Sequence, residues 1–144
     1  MTKPLLRSAL PLVVACLLTG CVPPPGKTQS RCAAALGPPV LVFNLFFGRN
    51  VPGLGNVTDK EWRAFLDQEV TPNLPHGYTV FDAQGAWMNP VNDKTLREPT
   101  RVLMVALPDV PESAAAVTRV RNAYQVRFRQ GLVGMAAYPA CGSF

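Results

Sequence analysis

The sequence predicts an α+β domain in which two helices cover one face of an antiparallel sheet. Short runs of apolar, β-branched and aromatic residues recur between prolines and glycines, and their length is typical of strands. Two longer segments carry apolar residues at every third or fourth position, which is the spacing of one helix face. The elements therefore follow one another in the order strand, helix, strand, strand, helix, strand.

The first half of the domain begins with a buried strand at 40–47, an apolar run that is interrupted only by Asn44. Thr58 and Glu61 then predict a capping box at the start of a helix. At this spacing the hydroxyl of Thr58 can accept a hydrogen bond from the Glu61 N–H, and the carboxylate of Glu61 can accept one from the Thr58 N–H. Pro72 and Pro75 are expected to end this helix. Its apolar face is predicted to comprise Trp62, Phe65, Leu66 and Val70.

The second half of the domain is predicted from alternating apolar runs and turn residues. The expected elements are a strand at 78–81, a turn at 82–85 with a hairpin return at 86–88, a strand at 101–107, a helix at 112–130 and a strand at 132–138. This βαββαβ order, with a hairpin return after the second strand, is typical of the ferredoxin-like split βαβ sandwich. In that topology the last strand lies antiparallel beside the first.

The N-terminal segment has the layout of a lipoprotein signal peptide. Lys3 and Arg7 precede an uncharged apolar run of about ten residues, which is too short to span a membrane. Leu18-Thr19-Gly20-Cys21 has the pattern of a lipobox, and it predicts cleavage before Cys21 and lipidation of that residue. The alternative is an ordinary signal peptide that is cleaved elsewhere and leaves Cys21 unmodified.

The chain is expected to divide into three parts. These are a signal peptide at 1–20, a lipidated cysteine with a Pro-rich tether at 21–37, and a single α+β domain at 38–144. The lipid anchor makes a membrane the expected partner, and Val22 after the anchor, in place of aspartate, predicts the periplasmic face of the outer membrane in a host with two membranes. Removing Lys3 and Arg7 lowers the net charge from +5 to +3, so we expect no nucleic-acid partner.

Two of the four cysteines remain for the folded domain. Cys16 leaves with the signal peptide and Cys21 carries the lipid, whereas Cys32 and Cys141 bracket the domain in an oxidising compartment. We predict that Cys32 and Cys141 form a disulfide, because the expected topology brings their two strand ends together. The alternative, a redox-active or metal-binding pair, lacks a CxxC spacing and neighbouring ligands.

Both faces of the predicted sheet are apolar. In the first strand, Val42 and Phe46 alternate with Leu41 and Leu45. Two helices cover only one face, and an exposed face of an antiparallel sheet is normally polar. The second face is therefore expected to be covered by a partner subunit, as in a homodimer, or by an enclosed ligand. A second interpretation is that small residues such as Gly134 leave only a shallow apolar patch exposed on this face.

Motifs along most of the domain resemble one family. They are Phe47-Gly48-Arg49, Val57-Thr58, Trp62, Phe65-Leu66, Val70-Thr71-Pro72, Pro75, Gly77-Tyr78-Thr79-Val80, Asp82-Ala83-Gln84-Gly85, Trp87, Glu98, Tyr124, Arg127-Phe128 and Gln130. Together they are similar to an uncharacterised bacterial lipoprotein family, domain of unknown function 3574. The resemblance implies a shared fold and no known activity.

No catalytic constellation emerges from the remaining residues. His76 is the single histidine and lies in a predicted turn between Pro75 and Gly77, so neither a catalytic triad nor a metal site is expected, and no cofactor. The glycines at 48–55 lack the rest of a phosphate-loop motif, although Arg49 leaves an anion at the helix start open. The candidate ligand or partner site comprises Asn44, Arg49, His76, Tyr78, Trp87 and Gln130.

The sequence thus predicts a non-enzymatic, envelope-anchored interaction or dimerisation module. The alternative is a small-molecule-binding or catalytic protein of the dimeric α+β barrel type, with a cavity at the sheet face and a protein partner or ligand of unknown identity. Basic residues on the second helix, such as Arg119 and Arg127, are expected to form a solvated face, with contact to anionic lipid as the alternative.

Overall fold

The computed structural model describes residues 32–33, 36–51 and 53–143. The predicted signal peptide, Cys21 and most of the predicted tether lie outside these residues, so lipidation and the division of the chain at residue 21 stay predictions. The strands are β1 Pro39–Gly48, β2 Asn50–Val51, β3 Gly55–Asn56, β4 Thr79–Met88, β5 Thr95–Pro108 and β6 Gly134–Cys141. The helices are α1 Asp59–Phe65, α2 Thr71–Asn73 and α3 Pro111–Phe128, and a π-helical segment, Leu66–Val70, joins α1 to α2.

Four strands form one antiparallel sheet in the order β4-β5-β1-β6. Across its middle, Thr79 pairs with Met104, Met104 with Asn44, and Asn44 with Ala136. The short strands β2 and β3 form a separate hairpin. The prediction of an α+β domain with an antiparallel sheet and two helical segments is confirmed, and the last strand lies beside the first as expected.

The core lies between one sheet face and the helices. Phe47 of β1 contacts Trp62 of α1 with ring centroids 5.3 Å apart and Tyr124 of α3 at 4.8 Å, both in edge-on geometry. Phe65 contacts Tyr124 at 5.1 Å, which links the two helices directly. Each such pair adds about 0.5–1.5 kcal/mol to the free energy of burial, so this aromatic cluster fixes how the helices lie on the sheet.

The predicted capping box begins α1. The Glu61 N–H donates to Thr58 Oγ1 at 3.2 Å, and the Thr58 N–H donates to Glu61 Oε2 at 2.8 Å. The hydroxyl and then the backbone N–H of Thr58 stabilise the carboxylate, which lowers the pKa of Glu61. Pro72 does not end the helical segment, because it lies in the first turn of α2, where a missing N–H is tolerated. The helical residues end at Asn73, before the second predicted stop, Pro75.

The predicted hairpin return at 86–88 is wrong. Residues 79–88 form one continuous strand, β4, which pairs with β5 from Thr79 opposite Met104 to Met88 opposite Thr95. The expected turn residues lie inside that strand, where Asp82 forms an ion pair with the opposite Arg101. This cross-strand pairing outweighs the turn preference of the segment. The chain reverses instead at 89–94, where the Val91 N–H donates to Asn89 Oδ1.

The ends of the last two elements also differ from prediction. Helix α3 ends at Phe128, two residues before the expected 130, because Arg129 adopts a left-handed backbone with φ 51°. The final strand begins at Gly134 and continues to Cys141, beyond the predicted end at 138. Its extra residues pair with the start of β1, where Cys141 lies opposite Pro39.

The predicted disulfide between Cys32 and Cys141 is present, with the two Cα atoms 5.6 Å apart. The bond joins the segment before β1 to the end of β6 and closes a loop over a sequence separation of 109 residues. In the chain-entropy account a loop of this length stabilises the fold by about 4–5 kcal/mol. It also fixes the end of the sheet that lies nearest the predicted tether.

Candidate interaction surface

One face of the four-stranded sheet carries no helix. Residues that pair across neighbouring strands lie on the same face, and the helices pack on the face of Phe43, Leu45 and Phe47. The opposite face, here called the open face, carries large apolar side chains that are 37–49% exposed. They are Phe46, Phe81, Trp87, Leu96, Met104 and Tyr138.

The exposed apolar area of the open face is in the upper part of the range for the largest patch on a typical monomer. Its large side chains alone expose roughly 500 Å², from their exposed fractions and the usual areas of such residues. Partly exposed Val42, Val102 and Ala106 lie between them and enlarge the patch. Contiguous apolar patches above a few hundred Å² usually mark interaction sites.

Two strands continue beyond the rest of the sheet. Strand β1 ends at Gly48 opposite Thr100, whereas β4 and β5 remain paired as far as Met88 and Thr95. The residues at 84–88 and 95–99 form a two-stranded ribbon, here called the arm. A two-stranded hairpin is marginally stable alone. Trp87 and Leu96 face each other on the arm and extend the apolar surface of the open face.

A stretch of small residues lies where the arm meets the aromatic part of the open face. A Cβ on Gly48 would lie 2.7 Å from both carboxylate oxygens of Glu98, so that side chain packs directly on the Gly48 backbone. A Cβ on Gly85 would lie 2.7 Å from the Thr100 hydroxyl. Gly48, Ala83, Gly85, Glu98 and Thr100 are here called the trough, and the Glu98 carboxylate and the Thr100 hydroxyl fill the space over its two glycines.

The carboxylate of Glu98 is half-buried and has one hydrogen bond in the described residues. The Asn50 N–H donates to Glu98 Oε2 at 3.3 Å. No ion pair to Glu98 is found within the part of the chain that the structure describes. Among the strand residues of the open face, Glu98 is the single charged side chain.

The nearby arginines are engaged on the other side of the sheet. Arg49 and Arg101 each donate to Asp59 Oδ1 at 2.8 Å, and Arg101 also pairs with Asp82. The hydrogen bond from Arg101, and then the charge of Arg49, lower the pKa of Asp59. Because Asp59 is the first residue of α1, its carboxylate occupies the position at which Arg49 could have aided an anion. The cluster is balanced in charge and ties β1, β4 and β5 to the helix.

Beneath Gly48, the phenol of Tyr124 is buried. Its hydroxyl donates to the Gly48 carbonyl at 2.9 Å. Burial raises the pKa of Tyr124 far above its ordinary value of 10.0. Gln130, which follows α3, donates from Nε2 to the Asn50 carbonyl at 2.8 Å. Tyr124 and Gln130 together therefore hold the segment from Gly48 to Asn50, which lies beside Glu98.

The structure does not gather the predicted site residues into one site. Arg49 and Gln130 meet at the segment after β1, where Arg49 Nε donates to the Val57 carbonyl at 2.7 Å. Asn44 lies in the middle of the open face and Trp87 on the arm. His76 is exposed in the turn before β4, and the Tyr78 hydroxyl lies 3.0 Å from Thr71 Oγ1 on the helix side. Sequence reasoning missed the trough, although glycines inside strands, such as Gly85, are its signal.

The basic residues of α3 make contacts within the domain. Arg119 donates to Asn73 Oδ1 at 2.7 Å and Arg127 donates to Gln68 Oε1 at 2.8 Å. Arg121 donates to the Val133 carbonyl. Within the described residues no helix is long and apolar enough to cross a membrane. The same residues hold no group of three or more potential metal ligands.

Comparisons with known proteins give a family and a fold. A family model described as protein of unknown function (DUF3574) matches residues 43–144. A phage SAM lyase in complex with S-methyl-5'-thioadenosine has a TM-score of 0.55 and 11% identity, and the match covers 72% of this chain and 90% of that chain. CutA from Synechococcus elongatus has a TM-score of 0.48 and 10% identity, over 73% of this chain and 80% of that chain. No curated protein sequence matches the chain.

Proposed function

Because the chain belongs to the DUF3574 family of proteins of unknown function, we propose its role from its own surfaces. The protein is an envelope-anchored lipoprotein with a ferredoxin-like domain. That domain is a non-enzymatic interaction module that pairs with a second copy through the open face. The observation that carries this proposal is the contiguous apolar surface around Phe46, Phe81 and Met104.

The chemistry of this surface favours a second copy over an unlike, charged partner. From Tyr138 and Val42 to Phe81 the open face contains no charge, so a matching partner must itself present an apolar sheet. A second open face meets that requirement. A standard interface buries about 800 Å² on each partner, and the large exposed side chains together with the small apolar residues between them approach that area.

Two-fold symmetry is compatible with a membrane anchor. Cys32 and Cys141 lie at the end of the sheet from which the tether departs, opposite the arm. Two sheets that pack face to face keep their strands within about 30° of each other. A two-fold axis along the strands places both tethers at the same end of the dimer. Both lipidated Cys21 residues then reach one membrane surface.

Sedimentation velocity of soluble residues 22–144, purified from a periplasm without refolding, tests the dimer. We expect a concentration-dependent dimer, and we expect Val42→Asp to be monomeric with an unchanged circular dichroism spectrum, because the carboxylate would be buried without a partner. The matched control is Val126→Asp on the exposed side of α3, which should remain dimeric. A wild-type protein that is monomeric at its highest soluble concentration would overturn the proposal.

A small-molecule-binding role of the dimeric α+β barrel type is the second candidate. The carboxylate of Glu98 favours it, since it is the one charged side chain among the strand residues of an otherwise apolar face and has no ion pair in the described residues. The fold of the phage SAM lyase holds a small ligand in its own structure, S-methyl-5'-thioadenosine. Native mass spectrometry of the same preparation distinguishes the two roles, because a retained ligand adds a reproducible mass.

A further inference from the structure

We propose that a cavity beside the end of α3 binds a small organic carboxylate. The cavity lies on the helix side of the domain, where the β2-β3 hairpin meets the first turn of α1 and the last turn of α3. Its volume is about 250 Å³. Four apolar side chains, one amide, one carboxylate and two guanidinium groups line it. The inference goes beyond the proposed function, because it uses neither the open face nor a second copy.

The first step of the inference is shape. The Leu54 N–H donates to the Val51 carbonyl at 3.0 Å and closes the turn of the hairpin that forms one wall. Gln130, which follows α3, donates to the Asn50 carbonyl at 2.8 Å and ties the opposite wall to that hairpin. The two walls are therefore held together before a ligand binds, so binding does not have to order them. Pockets for drug-sized ligands begin at about 300 Å³, which makes the expected ligand small.

The second step is the apolar part of the lining. Val51 and Val57 from the hairpin side and Phe128 from α3 belong to the hydrophobic core, and each also lines the cavity. Leu54 lines it as well and is 69% exposed. A ligand with a short apolar body would remove part of this leucine from water, which favours binding. The ligand class therefore includes an apolar body.

The third step is charge. Arg127 and Arg129 both line the cavity and both are exposed. Arg127 donates from one N–H group to Gln68 and keeps its other donors. Glu61 is the acidic residue of the lining, and its Oε2 already accepts from the N–H and the hydroxyl of Thr58 at 2.8 and 2.7 Å. The lining thus has an excess of positive charge, and a guanidinium group matches the geometry of a carboxylate.

The fourth step is the position of Arg129. Its backbone is left-handed, with φ 51°, a conformation that a glycine adopts without steric cost. No hydrogen bond or ion pair of its side chain is found within the described residues. An arginine at this position therefore brings no visible benefit to the fold. Unfavourable backbone conformations of this kind are concentrated at functional sites, and a role of the guanidinium group in binding gives this one a reason.

Hexanoate and its uncharged analogue hexan-1-ol are the probes. Each is titrated into ¹⁵N-labelled, disulfide-bonded residues 22–144, and the amides of Leu54, Gly55 and Phe128 are followed by NMR. We expect saturable shifts at these amides with hexanoate and at least about threefold weaker binding of hexan-1-ol. Equal affinities, or shifts with hexanoate that are confined to the open face, would overturn the site.

Two variants test the two halves of the site. Arg129→Gly should lose most of the preference for hexanoate over hexan-1-ol, and because glycine suits this backbone conformation, weaker binding cannot be attributed to unfolding. Leu54→Ser should weaken both probes alike, since it removes apolar area without changing charge. Arg97→Gln, which removes an exposed arginine on the arm, is the control and should bind both probes as the wild type does. An unchanged preference in Arg129→Gly contradicts the proposal.

Discussion

At the scale of single residues, Tyr124 joins the core to the candidate surface. Its ring packs against Phe47 and Phe65, while its hydroxyl donates to the carbonyl of Gly48, directly below the trough. A buried carbonyl that loses its donor costs about 1–3 kcal/mol, so this bond holds the end of β1 in place. The same burial makes the ionised phenolate unfavourable.

Tyr124→Phe should lower the free energy of unfolding by about 1 kcal/mol at neutral pH. The variant should also be less sensitive to alkaline pH. In the native protein the pKa of Tyr124 is raised above its ordinary value of 10.0, so the unfolded chain releases this proton first and stability falls as pH rises beyond 10. Urea denaturation between pH 7 and 11 measures both effects.

Tyr138→Phe is the control for this experiment, because Tyr138 is exposed on the open face. Its free energy of unfolding should stay within about 0.5 kcal/mol of wild type at neutral pH. If Tyr124→Phe lost stability above pH 10 as steeply as the wild type does, the hydroxyl of Tyr124 would not be the titrating group.

Residue patterns predicted the core better than the candidate site. Trp62 and Phe65 are buried as their helical spacing indicated, and Thr58 caps the helix as its distance from Glu61 indicated. The trough depends instead on which residues lie opposite each other in the sheet. That register brings Glu98 beside Gly48, a separation of fifty positions that no local spacing reveals.

At the scale of elements, the end of α3 shows how backbone conformation can end a helix before a glycine does. Gly131 predicts a helix end at 130, but Arg129 adopts a left-handed conformation that ends the helix after Phe128. Glycine adopts this conformation without the steric cost of a Cβ. Local sequence also misled in β4, where pairing with β5 outweighs the turn preference of residues 82–85.

Arg129→Gly should therefore raise the free energy of unfolding, by about 0.5–1 kcal/mol. The left-handed backbone at φ 51° is unfavourable for arginine. No hydrogen bond of the Arg129 side chain is found within the described residues. Val126→Gly is the matched control, because this helix residue is 82% exposed and the substitution should instead destabilise by about 0.3–0.5 kcal/mol. Thermal unfolding of the two variants gives shifts of opposite sign, and a lower Tm for Arg129→Gly contradicts the argument.

At the scale of the whole molecule, the two ends of the domain have different surroundings under the proposed function. The disulfide end leads to the tether, and the arm with its trough extends away from it. A lipid anchor would therefore present the trough to the periplasm and away from the bilayer. Neither the anchor nor the dimer follows from the fold, since both concern chemistry or partners outside one folded domain.

The anchor has its own test in the full-length chain. Expressed in a bacterium with labelled palmitate, the wild type should incorporate label and enter the detergent phase of a Triton X-114 extract. Each buried methylene contributes about 0.8 kcal/mol, so several acyl chains on Cys21 hold the protein firmly. Cys21→Ser should lose both the label and the partitioning, whereas Cys32→Ser should lose the disulfide and keep both. Labelled Cys21→Ser protein would show that the lipid lies elsewhere, and an unlabelled wild type would leave Leu18-Thr19-Gly20-Cys21 as part of an ordinary signal peptide.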